Sequence, residues 1–300
     1  KIKMVKLITL LAFTVLLGEC QGFLPLNRVE YSDLKLVNSP DLLSTARVPV
    51  NKVSPRCSTA LRTTPSSDIE ESTFINKSNI PFAIVWVLLV LYTIFVAPGE
   101  FQGSAVDTGI LQSILENPQK PNVNELFLFV FNQFAVIPIA IACLAQPQAS
   151  SKGPPAFPFL ISASFFGYFL LGPYMFLRGE PKSTSTINEL DWVTVNILEN
   201  KIINGLCLAL SAYFATQVPW SDLDSLIQGY SELASTSKLV SVSTVDLAIL
   251  TSIAASLVPQ DYRLRKPNSS IGNLLGLATF LTPVYGPLLY CFLRPSLPKD

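Results

Sequence analysis

The chain has 300 residues, 49% hydrophobic and 14% charged, with 21 basic and 21 acidic side chains and zero net charge. A soluble domain carries about a quarter charged residues, so this composition and a mean hydropathy of +0.43 point to a membrane protein, and the even charge balance excludes an electrostatic nucleic-acid binder. Histidine is absent, which removes Ser-His-Asp triads, HExxH zinc sites and His-ligated haem.

The first element is the apolar run 7–17, LITLLAFTVLL, behind Lys6; Met4 is the expected start, with Lys1-Ile-Lys3 upstream of it. The run closes on Gly18-Glu-Cys-Gln-Gly22. It is too short to span a bilayer, so residues 1–22 read as a secretory signal peptide. Residues 23–58 place Arg28, Lys35, Arg47, Lys52 and Arg56 among many Ser and Thr, the composition of a transit peptide, although Glu30, Asp33 and Asp41 depart from it. Residues 59–78 form a linker with the acidic cluster Asp68-Ile-Glu-Glu71. A signal peptide, Phe23 at its cleavage point and a basic, hydroxyl-rich tract together resemble the bipartite leader of plastids of the diatom type. That resemblance implies a plastid protein with a disordered targeting leader. The alternative is an ordinary secreted membrane protein with a disordered N-terminal arm.

Residues 79–294 are expected to form an all-α, polytopic membrane bundle of about six transmembrane helices, followed by a tail at 295–300. A span needs about 20 apolar residues. The segments Ile80–Val96, Glu125–Ala145, Phe157–Leu177 and Leu274–Leu293 meet that pattern, and Ile202–Val218 is slightly short. A sixth candidate, Leu239–Val258, is interrupted by Asp246. Such long, unalternating runs are not barrel strands. Loop charge fits alternate sides through the loop with Glu180, Glu189 and Asp191 against Arg178 and Lys182, which reads as translocated. Beyond it the acidic loop 220–238 and the basic loop 259–270 fall on the wrong sides, which a non-spanning Asp246 segment would repair. Two amphipathic stretches, Asp107–Asn117 and Ser221–Leu233, are suited to packing on the bundle, a membrane surface or a partner.

The candidate polar site inside the membrane comprises Asp246, Asn132, Gln133, Glu199 and Asn204. A carboxylate within a span is costly and marks function by default; alternatively Ser243, Thr244 and Asp246 are cap residues at a helix start. Asn132 and Gln133 suit helix-to-helix hydrogen bonds or a ligand. Glu199 and Asn204 open another span as an interfacial cluster; their spacing, and Leu206 where an Arg would be needed, exclude the Glu-x-x-Asn-Gly-Arg motif of light-harvesting proteins. Gly272-x-x-x-Gly276, Cys207-x-x-x-Ser211 and Ala248-x-x-x-Ser252 are small-residue seams for close packing. Cys143, Cys207 and Cys291 lie in apolar runs and read as small hydrophobes. No metal site or cofactor motif is present in the sequence.

The stretch Leu126-Phe-Leu-Phe-Val-Phe-Asn-Gln-Phe-Ala-Val-Ile-Pro138, followed by Pro155-Ala-Phe-Pro-Phe159 opening the next apolar run, resembles a hairpin of multi-pass membrane proteins of plastids and cyanobacteria. The resemblance implies a thylakoid or other plastid membrane and carries over no catalytic residue. The expected role is structural, assembly or accessory rather than enzymatic, with the lipid bilayer and photosynthetic complexes or pigments as partners. The competing expectation is a small-solute or ion transporter working through Asp246, Asn132 and Gln133.

Overall fold

The computed structural model describes residues 79–99, 104–118, 120–149, 153–182, 185–267 and 269–298. The signal-peptide, transit-peptide and linker expectations fall outside them. All of the described residues belong to one of the chain's two compact units. Among the described residues the fold is all-helical: α1 (Ile80–Leu91), α2 (Ala105–Glu116), α3 (Glu125–Asn132), α4 (Ile137–Ala145), α5 (Ala156–Phe166), α6 (Tyr168–Leu177), α7 (Lys201–Thr216), α8 (Leu223–Thr236), α9 (Lys238–Arg265), α10 (Ile271–Leu281) and α11 (Tyr285–Leu293).

Helix α9 is the axis. Its 28 residues rise about 42 Å. Ser237 caps its start, accepting from the Val240 N–H at 3.1 Å. Asp107 of α2 reinforces that cap by accepting from the Ser237 hydroxyl and from the Leu239 N–H. Arg263 and Arg265 occupy the last turn, where the helix dipole favours cations. Asp246 therefore does not interrupt or start this helix; it sits a little over two turns inside it, and the cap-residue reading of Ser243, Thr244 and Asp246 is corrected.

The two ends of α9 define the two ends of the bundle: a capped end at Ser237 and Asp107, and an ionic end at Asp261 and Arg265. Helix α1 starts at the ionic end, where the Asn79 side-chain amide donates to the Arg178 carbonyl at 2.6 Å. Gly99, beyond α1, lies at the capped end against Lys238. Helices α3 and α4 run from the capped end to the ionic end, and α7 leads back.

The segments Phe157–Leu177 and Leu274–Leu293 are each broken into two shorter helices, so neither forms one helix of spanning length among the described residues, and six spans are not found there. Helices α5 and α6 fold back on each other at Gly167, which has φ 57 and ψ −140. The rings of Phe159 and Tyr174 stack with centroids 5.7 Å apart; one straight helix would hold these residues about 22 Å apart. The feet of this hairpin touch. A side chain on Gly153 would meet the Gly179 nitrogen at 2.8 Å, and the Lys182 N–H donates to the Gln148 carbonyl at the end of the preceding run. Helices α10 and α11 do the same around Thr282–Val284. Helix α10 leaves the ionic end beside α9, with Asn273 accepting from Arg263, and α11 returns there, where Arg294 meets Asp261. Val284 takes φ 70, a strained value for a β-branched residue. The physical reason in both cases is a break that apolar count cannot register: Gly167 in one hairpin, Thr282-Pro-Val284 in the other.

Among the described residues, Glu125–Gln148 and Lys238–Arg265 are long and apolar enough to cross a membrane; Lys201–Thr216 with Trp220–Thr236, bent by 55°, makes a third if taken as one span. Ile80–Val96 is apolar but shorter. With 157–177 turning back, the acidic stretches around Asp107–Glu116 and Asp222–Glu232 share the capped end. Arg263, Arg265 and Lys266 lie at the ionic end, together with the mixed loop of Arg178, Glu180, Lys182, Glu189 and Asp191.

The small-residue seam of α10 packs as expected, and within one chain. Gly272 and Gly276 are buried against α9, and a side chain on Gly276 would strike the Pro259 ring at 2.6 Å. Of the two amphipathic stretches, α2 buries Ile110 in a cluster with Phe127 and Val240 but leaves Leu111 and Leu115 exposed, and α8 buries Leu226 but not Ile227.

Candidate intramembrane polar site

Asp246 is 4% exposed. Its Oδ1 accepts from the Tyr168 N–H at 2.8 Å, the first backbone donor of α6. Gly167 is required there twice over. Its backbone lies in a region that only glycine adopts readily, and a methyl in place of its hydrogen would overlap the Asp246 carboxylate. A helix start inside a bundle leaves orphan N–H groups, and an acceptor there also meets the positive end of the helix dipole. Asp246 is thus the cap of the first hairpin's tip, supplied from another helix. The other polar gap in this hairpin is filled in the same way. Pro173 has no N–H, so the Phe169 carbonyl loses its helical partner. The Trp86 indole N–H donates to that carbonyl at 2.9 Å, and the missing side chain of Gly172 gives the indole its room.

Gln133 and Asn132 belong elsewhere. Gln133 begins the break between α3 and α4, is fully buried, and accepts from the Ser211 hydroxyl of α7 at 2.8 Å. The Tyr285 hydroxyl, just past the tip of the second hairpin, donates to the Ser211 carbonyl at 3.4 Å. The Gln133 Nε2 is buried without a hydrogen-bond partner. Asn132 ends α3, partly buried. Among the described residues no hydrogen bond joins Asp246 to Asn132 or Gln133, so these three do not form one polar pocket.

Glu199 and Asn204 do belong together, in a cluster larger than the sequence suggested. The Arg265 guanidinium donates to both Glu199 oxygens at 2.7 and 2.9 Å and to both Asp261 oxygens at 2.8 and 3.1 Å. Arg294 donates to Glu199 at 2.9 Å and to Asp261 at 3.2 Å. The Tyr290 hydroxyl donates to Asp261 at 2.8 Å. Two carboxylates and two guanidiniums thus close a neutral ring, in which the Asp261 and Arg265 side chains are wholly buried. Arg294 also donates to the Cys143 and Leu198 carbonyls. Asn204 donates to the Leu198 and Asn200 carbonyls and accepts from the Cys143 thiol. The network therefore ties α4, α7, α9 and α11 together at the ionic end.

Asp261, Arg265, Tyr290 and Arg294 escaped the sequence reading. Asp261 and Arg265 are spaced i, i+4 on one helix face, and Arg294 directly ends an apolar run; those were the available signals. Outside the helices, the Asp191 carboxyl is shifted by its surroundings. Burial raises its pKa, but the Thr194 hydroxyl and N–H and the Gln146 amide outweigh this and hold it below the usual carboxylate value. Cys143, Cys207 and Cys291 are buried and free of disulfides. Among the described residues no group of three or more His, Cys, Asp or Glu is placed to hold a metal ion. Comparison with protein-family models, curated proteins and solved structures finds no match.

Proposed function

We propose that the chain is an integral membrane protein of the plastid, in the thylakoid rather than the envelope, with a structural, assembly or accessory role beside the photosynthetic complexes. The observation that carries the structural role is the use made of Asp246. Its carboxylate is taken up in capping a half-depth hairpin rather than in facing an opening. Glu199 and Asn204 are likewise consumed by bonds between helices. The ring of ion pairs and the helix-packing seams are devices for fixing a rigid shape. Exposed Trp192 and Trp220 on either side of α7 suit the two membrane–water interfaces, where indoles anchor. The acidic capped end is then the translocated side and the ionic end the stromal side. The plastid address rests on the leader sequence.

One observation favours transport as the second reading. Hairpins that stop at half depth and carry helix starts are how transporters build sites at the midplane, and Asp246 sits at such a tip. Fractionation of the tagged full-length chain in its own cell type, followed by native gels, tests the first reading. Thylakoid recovery in a high-mass pigmented band supports it; recovery in the plasma membrane or ER overturns the plastid address. Asp246→Asn separates the two roles, because a carrier loses transport while the protein still accumulates.

A further inference from the structure

The second hairpin leaves a groove between α10, α11 and the last turns of α9, with a volume of about 460 Å³. That is within the range of small-molecule sites. Leu275, Ala278 and Leu289 line its length, Thr282 its inner end, and Tyr262 and Arg294 its mouth at the ionic end. Arg294 is 3% exposed. Four of its five donor hydrogens go to the Cys143 carbonyl, Asp261, the Leu198 carbonyl and Glu199. Its Nε–H makes no hydrogen bond among the described residues.

Depth and charge select the occupant. The hairpin arms have 11 and 9 residues, so the groove runs about 14–16 Å from the ionic end, half of the roughly 30 Å hydrocarbon core. That is the depth of one leaflet. The groove walls are apolar, and the charged residue among its lining is Arg294, whose ion pairs lie within the neutral ring; Arg263 and Lys266, outside the lining, follow Tyr262 at the same end. We propose that this groove holds one acyl chain of an anionic membrane lipid, with a headgroup oxygen accepting from Arg294 Nε. The proposal rests on the reading of the chain as an integral membrane protein.

The test reconstitutes the purified full-length chain in bilayer discs containing equal phosphatidylglycerol and phosphatidylcholine, then counts retained lipids by native mass spectrometry. One phosphatidylglycerol per chain, preferred at least tenfold over phosphatidylcholine, is expected. Ala278→Trp and Leu289→Trp, which fill the groove from opposite arms, should each cut that retention at least tenfold. Leu274→Trp, outside the groove, should leave it unchanged. Equal retention of the two lipids, or wild-type retention in both groove variants at an unchanged melting temperature, overturns the proposal. Alkaline carbonate washing of the cell membranes from which the chain is purified keeps the two readings apart. Release of the protein refutes the membrane assignment itself, whereas a chain that stays bound without lipid preference refutes only the groove.

Discussion

Asp246 and Asp261 lie on the same helix, 15 residues apart, about 22 Å along α9. Both are buried. Asp261 meets two guanidiniums and a phenol; Asp246 meets one backbone N–H. The first is held by formal charge in a balanced ring, the second by the geometry of a helix break. A buried acid in a membrane helix therefore has at least two structural uses before transport or catalysis is invoked. The way to tell them apart is to remove charge without removing shape.

The ionic end should respond most strongly. Arg265→Met leaves Glu199 and Asp261 sharing a single guanidinium. Uncompensated buried charges cost about 3–5 kcal/mol, so this variant should show the largest loss in a denaturant titration of the detergent-purified protein. A double variant, Arg265→Met with Asp261→Leu, should recover part of that loss, because a neutral apolar pair suits the site. A loss below about 1 kcal/mol in the single variant would mean that the ring is solvated and the contrast with Asp246 is lost.

The tip should separate charge from shape. Asp246→Asn keeps an oxygen for the Tyr168 N–H and should change stability by no more than about 1 kcal/mol, whereas Asp246→Ala orphans that donor and should cost about 1–3 kcal/mol. Gly167→Ala should cost more than either, since it adds steric overlap to about 1–3 kcal/mol of backbone strain. If Asp246→Asn were as damaging as Asp246→Ala, the negative charge itself would be holding the tip, and the two acids would be of one kind.

These contrasts also mark what could be read along the chain. The all-helical class, the apolar segments and the Gly272–Gly276 seam follow from composition and spacing, which report local burial. The two hairpins do not. A run such as 157–177 has the same apolar count whether it crosses or turns back, and only the pairing of Phe159 with Tyr174 reveals the turn. Loop charge did carry a trace of it, as the acidic and basic loops that fell on the wrong sides. The repair considered, a failure of the Asp246 segment to span, placed the fault two apolar segments too late. Glu199 was visible because it precedes an apolar run. Its partners Arg265 and Arg294 lie 66 and 95 positions away, beyond the reach of any local pattern.

A smaller effect tests whether the first hairpin relies on borrowed partners throughout. Trp86→Phe keeps most of the ring but leaves the Phe169 carbonyl without its donor, and should cost about 1–3 kcal/mol. Adding Pro173→Ala restores the helical N–H to that carbonyl and should reduce the cost of Trp86→Phe. Independent, additive effects of the two substitutions would show that the indole acts by packing alone.

The smallest effect lies outside the helices and runs with pH. Asp191 is exposed and has a lowered pKa, so it contributes stability above the pKa it would have in the unfolded chain, and that contribution fades as pH falls through its folded-state value. Its bonds to the Thr194 hydroxyl and N–H anchor the turn that leads to Glu199. Asp191→Asn should therefore lower the melting temperature slightly at pH 7, and the difference should shrink as the pH falls through the range in which the folded carboxyl takes up its proton. The ionic ring follows within a few residues of this turn, so a deficit that persists undiminished at low pH would trace instead to misplacement of Glu199, joining Asp191 to the ring and extending the ionic end into the loop.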